Sequence, residues 1–402
     1  MNAETLLPIA RPLDVVPFQA DDGQTHLALR DPAGIAARTL AMTIPGYFVM
    51  MHLDGAHTVG QVQEAFQREF DAPLVVEDIG ALVATLDEAL LLANERYEAA
   101  YEAKRREYEQ AEVRDNRDRW PEAGELRPLL EELIAGGSAE HVGNLAGFIA
   151  PHLDYERGGP CYADAYAALT QVPQVDRYVI LGTNHFGRCS GVVAAGKDFV
   201  TPLGRVATDQ ACLERVEQAL GCSLRGHEFD HAREHSIELQ VHLLQVARSQ
   251  RPFEVLSFLI PDPSGPTGTR PALDDGPDLD EFIDALRAAV AEDGKSTIWI
   301  ASADWSHVGQ QFGDPEPTTR EFLEQVGEND LRRLAMLEAH REHDFVEDVR
   351  QHGNATRICS VGCMYALLRA LPEAKCRRLR YHQAVDIEAE TNVTCAAAVL
   401  EA

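Results

Sequence analysis

The sequence lacks long hydrophobic runs and any excess of positive charge. No stretch reaches the roughly 18 consecutive apolar residues of a transmembrane helix, which predicts a chain without a membrane span. The chain has 36 lysines and arginines against 65 aspartates and glutamates, for a formal net charge of −29. This balance disfavours nucleic acid and anionic membranes as partners, because both attract basic faces. The start, MNAETLLPIARPLD, lacks a secretory signal, which predicts a cytoplasmic protein.

The eight cysteines lack the C-x-x-C spacing of zinc and redox motifs. Hydrophobic residues make up 45% of the 402-residue chain and charged residues 25%, as in ordinary globular proteins. Scattered cysteines in such a chain are mostly reduced core residues, with one or two available as metal ligands. The length allows two or three domains, and nothing in the sequence gives the oligomeric state.

Residues 1–98 predict a small α+β domain. A strand in HLALR is followed by two amphipathic helices that begin near Val59 and Val76, and Thr58 is placed to cap the first helix. The order of LDG-x-x-T, helix, acidic turn and helix resembles the winged-helix peptide-recognition domains of the PqqD type. The resemblance implies a peptide or protein partner at residues 1–98. A structural or dimerisation role fits the same pattern, whereas DNA binding is disfavoured because neither helix has a basic face.

Residues 99–140 predict a charged helical linker, since the segment through residue 120 has no Gly or Pro and many charges at i,i+4 spacing. From residue 141 to 402, apolar strands alternate with helices. This alternation predicts an α/β domain with a mixed or parallel sheet flanked by helices. The predicted strands are 145–150, 177–181, 191–194, 253–260, 297–301, 379–383 and 393–400. The predicted helices are 163–170, 209–220, 236–249, 278–291, 319–339, 344–351 and 360–371.

Polar side chains follow three of the predicted strands. His152 follows strand 145–150, His185 follows strand 177–181, and Asp304 and His307 follow strand 297–301. Open α/β sheets bind ligands at the carboxyl ends of their strands, and imidazole is a common ligand of transition metals. We therefore expect these strand ends to form one site. The two glycines of GTNHFG are expected to let the backbone beside His185 approach a small ligand.

Two further segments carry candidate site residues. In REHSIELQVHLL, His235 precedes an amphipathic helix and is predicted to be a site residue, while His242 is predicted to pack in the core. The neighbouring Glu234 and Glu238 fit an N-terminal capping pattern. In TRICSVGC, Cys359 lies just before a helix, where the helix dipole favours a thiolate.

The motifs APHLDY, LGTNH, TPLG, EHSIE, SADWSH and RICSVG occur in the order found in the Memo family, also called AmmeMemoRadiSam system protein B. The chain resembles that family over about residues 145–400. The resemblance implies a fold similar to class III extradiol dioxygenases, preceded here by an added amino-terminal domain. It also implies a metal site and further pocket residues. The implied ligands are His152, His185 and Cys359, and the implied pocket residues are His235, Asp304 and His307.

Two classes of function fit this implied centre. Two histidines and one anionic ligand leave coordination positions open, as in non-haem iron oxygenases, so the first is an Fe(II)-dependent, dioxygenase-like oxidoreductase. In that mechanism His235 is the general base, Asp304 orients a neighbouring histidine, and His307 is a second acid/base or a substrate contact. The substrate would be a small molecule, a peptide or a peptide-linked group. Copper or zinc also suits a cysteine ligand, and then a zinc-dependent hydrolase or a non-catalytic metal-binding adaptor is the alternative.

Overall fold

A computed structural model describes residues 1–20, 23–36, 38–138, 141–249, 251–273, 275–315, 317–387 and 390–402. The chain divides into two compact units, Met1–Ala111 and Glu112–Ala402. The domain limits predicted at residues 98 and 140 differ from this division, and residues 139 and 140 lie outside the described residues. Among the described helices, none combines the length and apolar character needed to cross a bilayer.

The first unit is a small α+β fold with its own sheet. The strands Asp14–Gln19 (β1), Thr25–Arg30 (β2) and Leu40–Thr43 (β3) pair antiparallel in chain order. The helices are Ile44–Met51 (α1), Val59–Phe70 (α2), Val76–Glu88 (α3) and Glu95–Gln110 (α4). The expected cap of α2 is present as a capping box, in which Thr58 and Gln61 each bind the other's main-chain N–H.

The segment predicted as a charged helical linker, residues 99–140, contains the charged end of α4, but α4 belongs to the first unit. Arg105 of α4 pairs with Glu102 at 2.7 Å and with Glu109 one turn later. Val113–Asp115, however, is a strand (β4) that pairs parallel with a strand of the large sheet. Arg114 in β4 is only 2% exposed, so this part of the charged segment is buried and is not a solvated helix.

The second unit is an α/β fold built on one large mixed sheet. Its further strands are Leu145–Ala150 (β5), Arg177–Thr183 (β6), Val193–Ala194 (β7), Asp198–Thr201 (β8), Gly204–Thr208 (β9), Glu254–Ile260 (β10), Thr297–Ser302 (β11), Asp304–Gly309 (β12), Lys375–Asp386 (β13) and Thr391–Glu401 (β14). Its helices are Ala123–Ala135 (α5), Gly159–Thr170 (α6), Gln210–Leu220 (α7), His235–Ala247 (α8), Leu279–Glu292 (α9), Arg320–Glu338 (α10), Glu342–Gln351 (α11) and Val361–Ala370 (α12).

The centre of the sheet is parallel and one side is antiparallel. The order is β12-β14-β5-β11-β6-β10-β9-β8-β4, with β13 on β14 and β7 on β10. Strands β5, β11, β6 and β10 are parallel neighbours, and β14 adds antiparallel to β5 and β12. The predicted α/β class with a mixed sheet is therefore confirmed.

Helices cover both faces of this sheet, and alternate residues of each central strand point into different cores. In β5, Phe148 packs with α6 and α8 residues, whereas Ile149 packs with α9 and α12 residues. Tyr178 and Val179 of β6 alternate in the same way, and all four side chains are fully buried. A sheet buried on both faces explains why these strands are continuous apolar runs in the sequence.

Candidate metal centre

The candidate site lies where the three adjacent parallel strands β5, β11 and β6 end. His152 follows β5 by two residues, His185 follows β6 by two residues, and Asp304 follows β11 by two residues and begins β12. The loop before α12 brings Cys359 to the same place, and His235 is the first residue of α8. Parallel strands end at one edge of a sheet, so residues far apart in the sequence come together there.

Three of these side chains form a set with the spacing of metal ligands. One potential ligand atom from each of His152, His185 and Cys359 lies within 4.8 Å of the other two. Cys359 Sγ is 3.3 Å from His152 Nε2, and the two imidazole rings stand almost perpendicular, with centroids 4.9 Å apart.

The Nδ1 atoms of His152 and His185 each contact an oxygen atom of the protein. His152 Nδ1 lies 3.0 Å from the carbonyl of Ser302, and His185 Nδ1 lies 3.0 Å from Glu234 Oε1. Both partners are acceptors, so each Nδ1 carries the hydrogen and each Nε2 is free to bind a metal. Such outer partners fix the tautomer and orientation of metal-binding histidines.

The electrostatics favour an anionic sulfur. Burial alone would raise the pKa of Cys359, but hydrogen bonds and charge from His152 and His185 lower it to about 6. Burial lowers the pKa of His185, but Glu234 and Cys359 together raise it well above its ordinary value. A metal cation would take the place of protons in this cluster, because thiolate and neutral imidazole are the forms that bind metals. The donor set therefore fits a transition metal ion.

His235 lies beside the two histidines and is electrically neutral. Its ring stacks on His185 with centroids 4.8 Å apart and lies 5.6 Å from the ring of His152. Its Nδ1 is 3.3 Å from Glu234 Oε1. Burial lowers the pKa of His235 to about 3, although Glu234 opposes this shift. A neutral imidazole can accept a proton.

Asp304 and His307 occupy the adjoining start of β12. Asp304 Oδ1 accepts the main-chain N–H of His152 at 3.0 Å, and Oδ2 is 3.6 Å from His152 Nε2. Burial raises the pKa of the Asp304 carboxyl. His307 Nδ1 lies 3.0 Å from the carbonyl of Trp305 and 3.1 Å from that of Arg357, which leaves its Nε2 as the available nitrogen. Burial lowers the pKa of His307, and Asp304 opposes the shift.

Glu234 and Glu238 differ from the simple N-terminal cap that their sequence pattern predicts. Glu234 does cap α8, by accepting the N–H of Ser236 at 2.8 Å, but the same carboxylate also binds His185. Glu238 is not a cap: it is fully buried and pairs with Arg114 at 3.3 Å and Arg119 at 3.6 Å. The one available signal was the position of Glu234 directly before a candidate site histidine.

The glycines beside His185 serve packing within the protein. A Cβ on Gly182 would lie 2.6 Å from both Ile237 Cδ1 and Ser236 Oγ of α8. A Cβ on Gly187 would overlap the side chains of Asn184 and Asp230. The expectation that these glycines admit a small ligand is therefore wrong, because protein atoms fill the space.

Three other groups of described residues have ligand-like spacing. His185, Glu234 and His235 form a group that shares His185 with the candidate site. The other two groups are poorer metal sites: Cys189, His227 and Asp275, and Asp209, Cys212 and Asp293. In the former, both oxygens of Asp275 already accept hydrogen bonds from Ser190, and burial raises the pKa of Cys189 to about 12. In the latter, Arg177 binds two carboxylates at 2.8 Å each.

The chain is similar in sequence to proteins of a known family. A family model described as Memo-like protein matches residues 121–400. The chain belongs to the Memo-like family. It is 27% identical to a MEMO1 family protein of Aquifex aeolicus over 312 residues, which cover 75% of this chain and 78% of that protein. A MEMO1 family protein of Thermus thermophilus is 28% identical over 345 residues, covering 83% and 95%. One of Methanosarcina mazei is 34% identical over 161 residues, covering 40% and 54%.

The Thermus relative also matches part of the first unit of this Memo-like protein. Glu112–Ala402 makes up less than about three quarters of the chain, whereas the match covers 83% of it. Some residues of Met1–Ala111 must therefore be included in the match. The amino-terminal unit is not wholly particular to this protein.

Proposed function

We propose that this Memo-like protein is a metal-dependent oxidoreductase whose metal ion is held by His152, His185 and Cys359. The observation that carries the proposal is the arrangement of the histidines. A protein acceptor holds each Nδ1, and each Nε2 is left for a metal beside a thiol whose pKa is lowered to about 6.

Fe(II) is the metal that we propose first, with copper or zinc as alternatives. Two imidazoles and one anion leave coordination positions open for oxygen and a chelating substrate, which is the pattern of non-haem iron oxygenases. Bound iron would supply the redox chemistry, in the manner of a class III extradiol dioxygenase. A thiolate is softer than a carboxylate, which supports copper and zinc as competitors.

The other three site residues are suited to transfer protons or to orient a metal ligand. Neutral His235 would accept a substrate proton at Nε2, because its Nδ1 faces Glu234. Asp304 would orient His152, as expected for a neighbouring histidine, through the main-chain N–H at 3.0 Å and with Oδ2 at 3.6 Å from Nε2. His307 would contact the substrate or exchange a proton at Nε2, since its Nδ1 is bound to main-chain carbonyls.

We further propose a peptide or a peptide-linked group as the substrate, with Met1–Ala111 as the place where a peptide or protein partner binds. The support is the resemblance of this unit to PqqD-type domains. Isothermal calorimetry of the full chain with peptides encoded beside its gene tests the idea. Heat of peptide binding that is lost when exposed residues of Met1–Ala111 are substituted would support the idea. No heat of binding with any such peptide would count against it.

Metal analysis of protein purified without a His tag tests the centre. We expect about one metal ion per chain, lost in His152→Ala and in His185→Ala but kept in His352→Ala, an exposed histidine elsewhere in the unit. Retention of the metal in both site variants would refute the assignment.

Oxygen uptake by the iron-loaded protein, with catechols as probe substrates, tests the activity. We expect uptake that His235→Ala abolishes without loss of iron. A protein that holds only zinc and consumes no oxygen would instead be a hydrolase or a non-catalytic metal-binding adaptor.

A further inference from the structure

Four consecutive main-chain carbonyls, those of residues 231–234, accept hydrogen bonds from a segment that lies 114 to 120 residues earlier in the chain. Arg114 donates from Nε to the first carbonyl at 2.6 Å and from Nη2 to the fourth at 2.8 Å. Asn116 Nδ2 donates to the second at 2.8 Å, and Arg119 Nη1 to the third at 2.9 Å. We refer to Arg114, Asn116 and Arg119 as the clamp.

The clamp is held in one geometry because the guanidinium of Arg114 is buried and paired. Arg114 is 2% exposed, and its guanidinium lies 3.3 Å from the fully buried carboxylate of Glu238 and over the ring of Phe199. Its strand, β4, pairs with β8 at Phe199. An arginine fixed from so many sides presents its N–H groups in one geometry, which suits it to hold a loop in place.

The clamped carbonyls lead directly into the metal centre. The fourth carbonyl belongs to Glu234, whose side chain binds both Nδ1 and the main-chain N–H of His185. The next residue is His235, the proposed base. Every clamp residue precedes residue 121, where the match to the Memo-like family begins.

We infer that the clamp is a positioning device for the metal centre, supplied by a segment that precedes the family match, and that Arg114 is its main positioning residue. Arg114 acts through Glu234: by fixing the main chain of this residue, it fixes the carboxylate that orients His185. The inference rests on the proposed function, because it concerns the same metal site.

A cobalt titration of the full chain, with absorption spectroscopy of the bound ion, tests the inference. Removing Arg114 alone would leave Glu238 buried and unpaired, so the test variant is Arg114→Met with Glu238→Gln. Its reference is Glu238→Gln alone, which keeps all four carbonyl contacts. Arg117→Met is a second control, because Arg117 lies in the same segment but is exposed and pairs only with Asp115 among the residues described.

We expect the double variant to bind cobalt about tenfold more weakly than Glu238→Gln, because losses of this size are typical when a partner of a metal ligand is removed. The ligand-field bands of the bound cobalt should also change. Arg117→Met should bind as the wild type does. An unchanged affinity and spectrum in the double variant would overturn the inference. If that variant does not fold, Asn116→Ala, which keeps both buried charges, decides by the same two measurements.

The Glu234→Gln background separates positioning from a general structural effect. If Arg114 acts through the carboxylate, the clamp substitution adds less than about a twofold further loss of affinity in this background. A full tenfold loss there would refute the route through Glu234. Cobalt binding that His185→Ala leaves unchanged would be a different failure, that of the proposed metal centre itself.

Discussion

Glu234 binds His185 twice: Oε2 accepts the main-chain N–H at 2.9 Å, and Oε1 lies 3.0 Å from Nδ1. The carboxylate is fully buried and also accepts the N–H of Ser236 at 2.8 Å. One side chain therefore caps α8 and fixes the tautomer of a proposed metal ligand. Burial tends to raise the pKa of Glu234, but the adjacent His185 lowers it below its ordinary value.

Replacing this carboxylate with an amide should weaken metal binding. Glu234→Gln keeps an oxygen for the helix cap but loses the charge that strengthens His185 as a ligand, so we expect affinity to fall about 10- to 100-fold. Competition with a chromophoric chelator measures it. Glu217→Gln, which alters a carboxylate paired with Arg225, serves as the control and should leave affinity unchanged. Equal affinity in the two variants would exclude a role for Glu234 at the metal.

Cys359 should be the metal-sensitive thiol of the protein. Its pKa is lowered to about 6 and its side chain is partly exposed, so iodoacetamide should alkylate it in the metal-free protein. Bound metal should protect it, whereas exposed Cys222 should react equally with and without metal. Peptide mapping by mass spectrometry distinguishes the two sites. Alkylation of Cys359 that zinc or iron leaves unchanged would contradict its role as a ligand.

The sequence predicted the central strands because their residues are buried on both faces. Continuous apolar runs such as that of Leu145–Ala150 have few other interpretations, and the histidines that follow them identify the edge where the site lies. The position of Cys359 before a helix made it a candidate, and the ordered Memo motifs added its role as a metal ligand beside His152, which no periodicity would indicate.

The contacts that hold the site were not predictable in this way. Arg114 lies in a charged segment that looks solvated, and only the pairing of β4 with β8 buries it. Glu238 matches a capping pattern in the sequence, and its actual partners, Arg114 and Arg119, lie more than 110 residues away. Local spacing carries no signal for ion pairs between such distant segments.

Gly187 should be intolerant of any side chain. A Cβ at this position would overlap Asn184 and Asp230, and Asp230 accepts the N–H groups of Arg188 and Cys189 in the same loop. We expect Gly187→Ala to cost about 1–3 kcal/mol of stability and to displace His185, with weaker metal binding. Gly226→Ala is the control, since nothing lies within 4 Å of its Cβ position. Urea unfolding and cobalt titration test both effects, and a Gly187→Ala protein that matches the control in both would show that the loop adapts.

His242 should make the second unit less stable in mild acid. Burial lowers its pKa to about 4, while Glu238 opposes the shift and Arg114 and Arg119 add to it. The unfolded chain, with an ordinary histidine pKa near 6.5, therefore takes up a proton between about pH 6.5 and 4 that the folded state refuses. The contribution of neutral His242 to the free energy of unfolding is fully present above this pH window, and it is lost as the pH drops through the window.

Replacing this histidine should remove part of that acid sensitivity. For a single histidine with these pKa values, the loss between pH 7 and pH 5 is about 2 kcal/mol. His242→Asn should therefore lose about that much less than the wild type over the same interval, while exposed His141→Asn should not differ from it. Tryptophan fluorescence during urea unfolding is the measurement, because all three tryptophans, Trp120, Trp299 and Trp305, lie in Glu112–Ala402. An unchanged pH dependence in His242→Asn would mean that the buried imidazole is protonated in the folded protein.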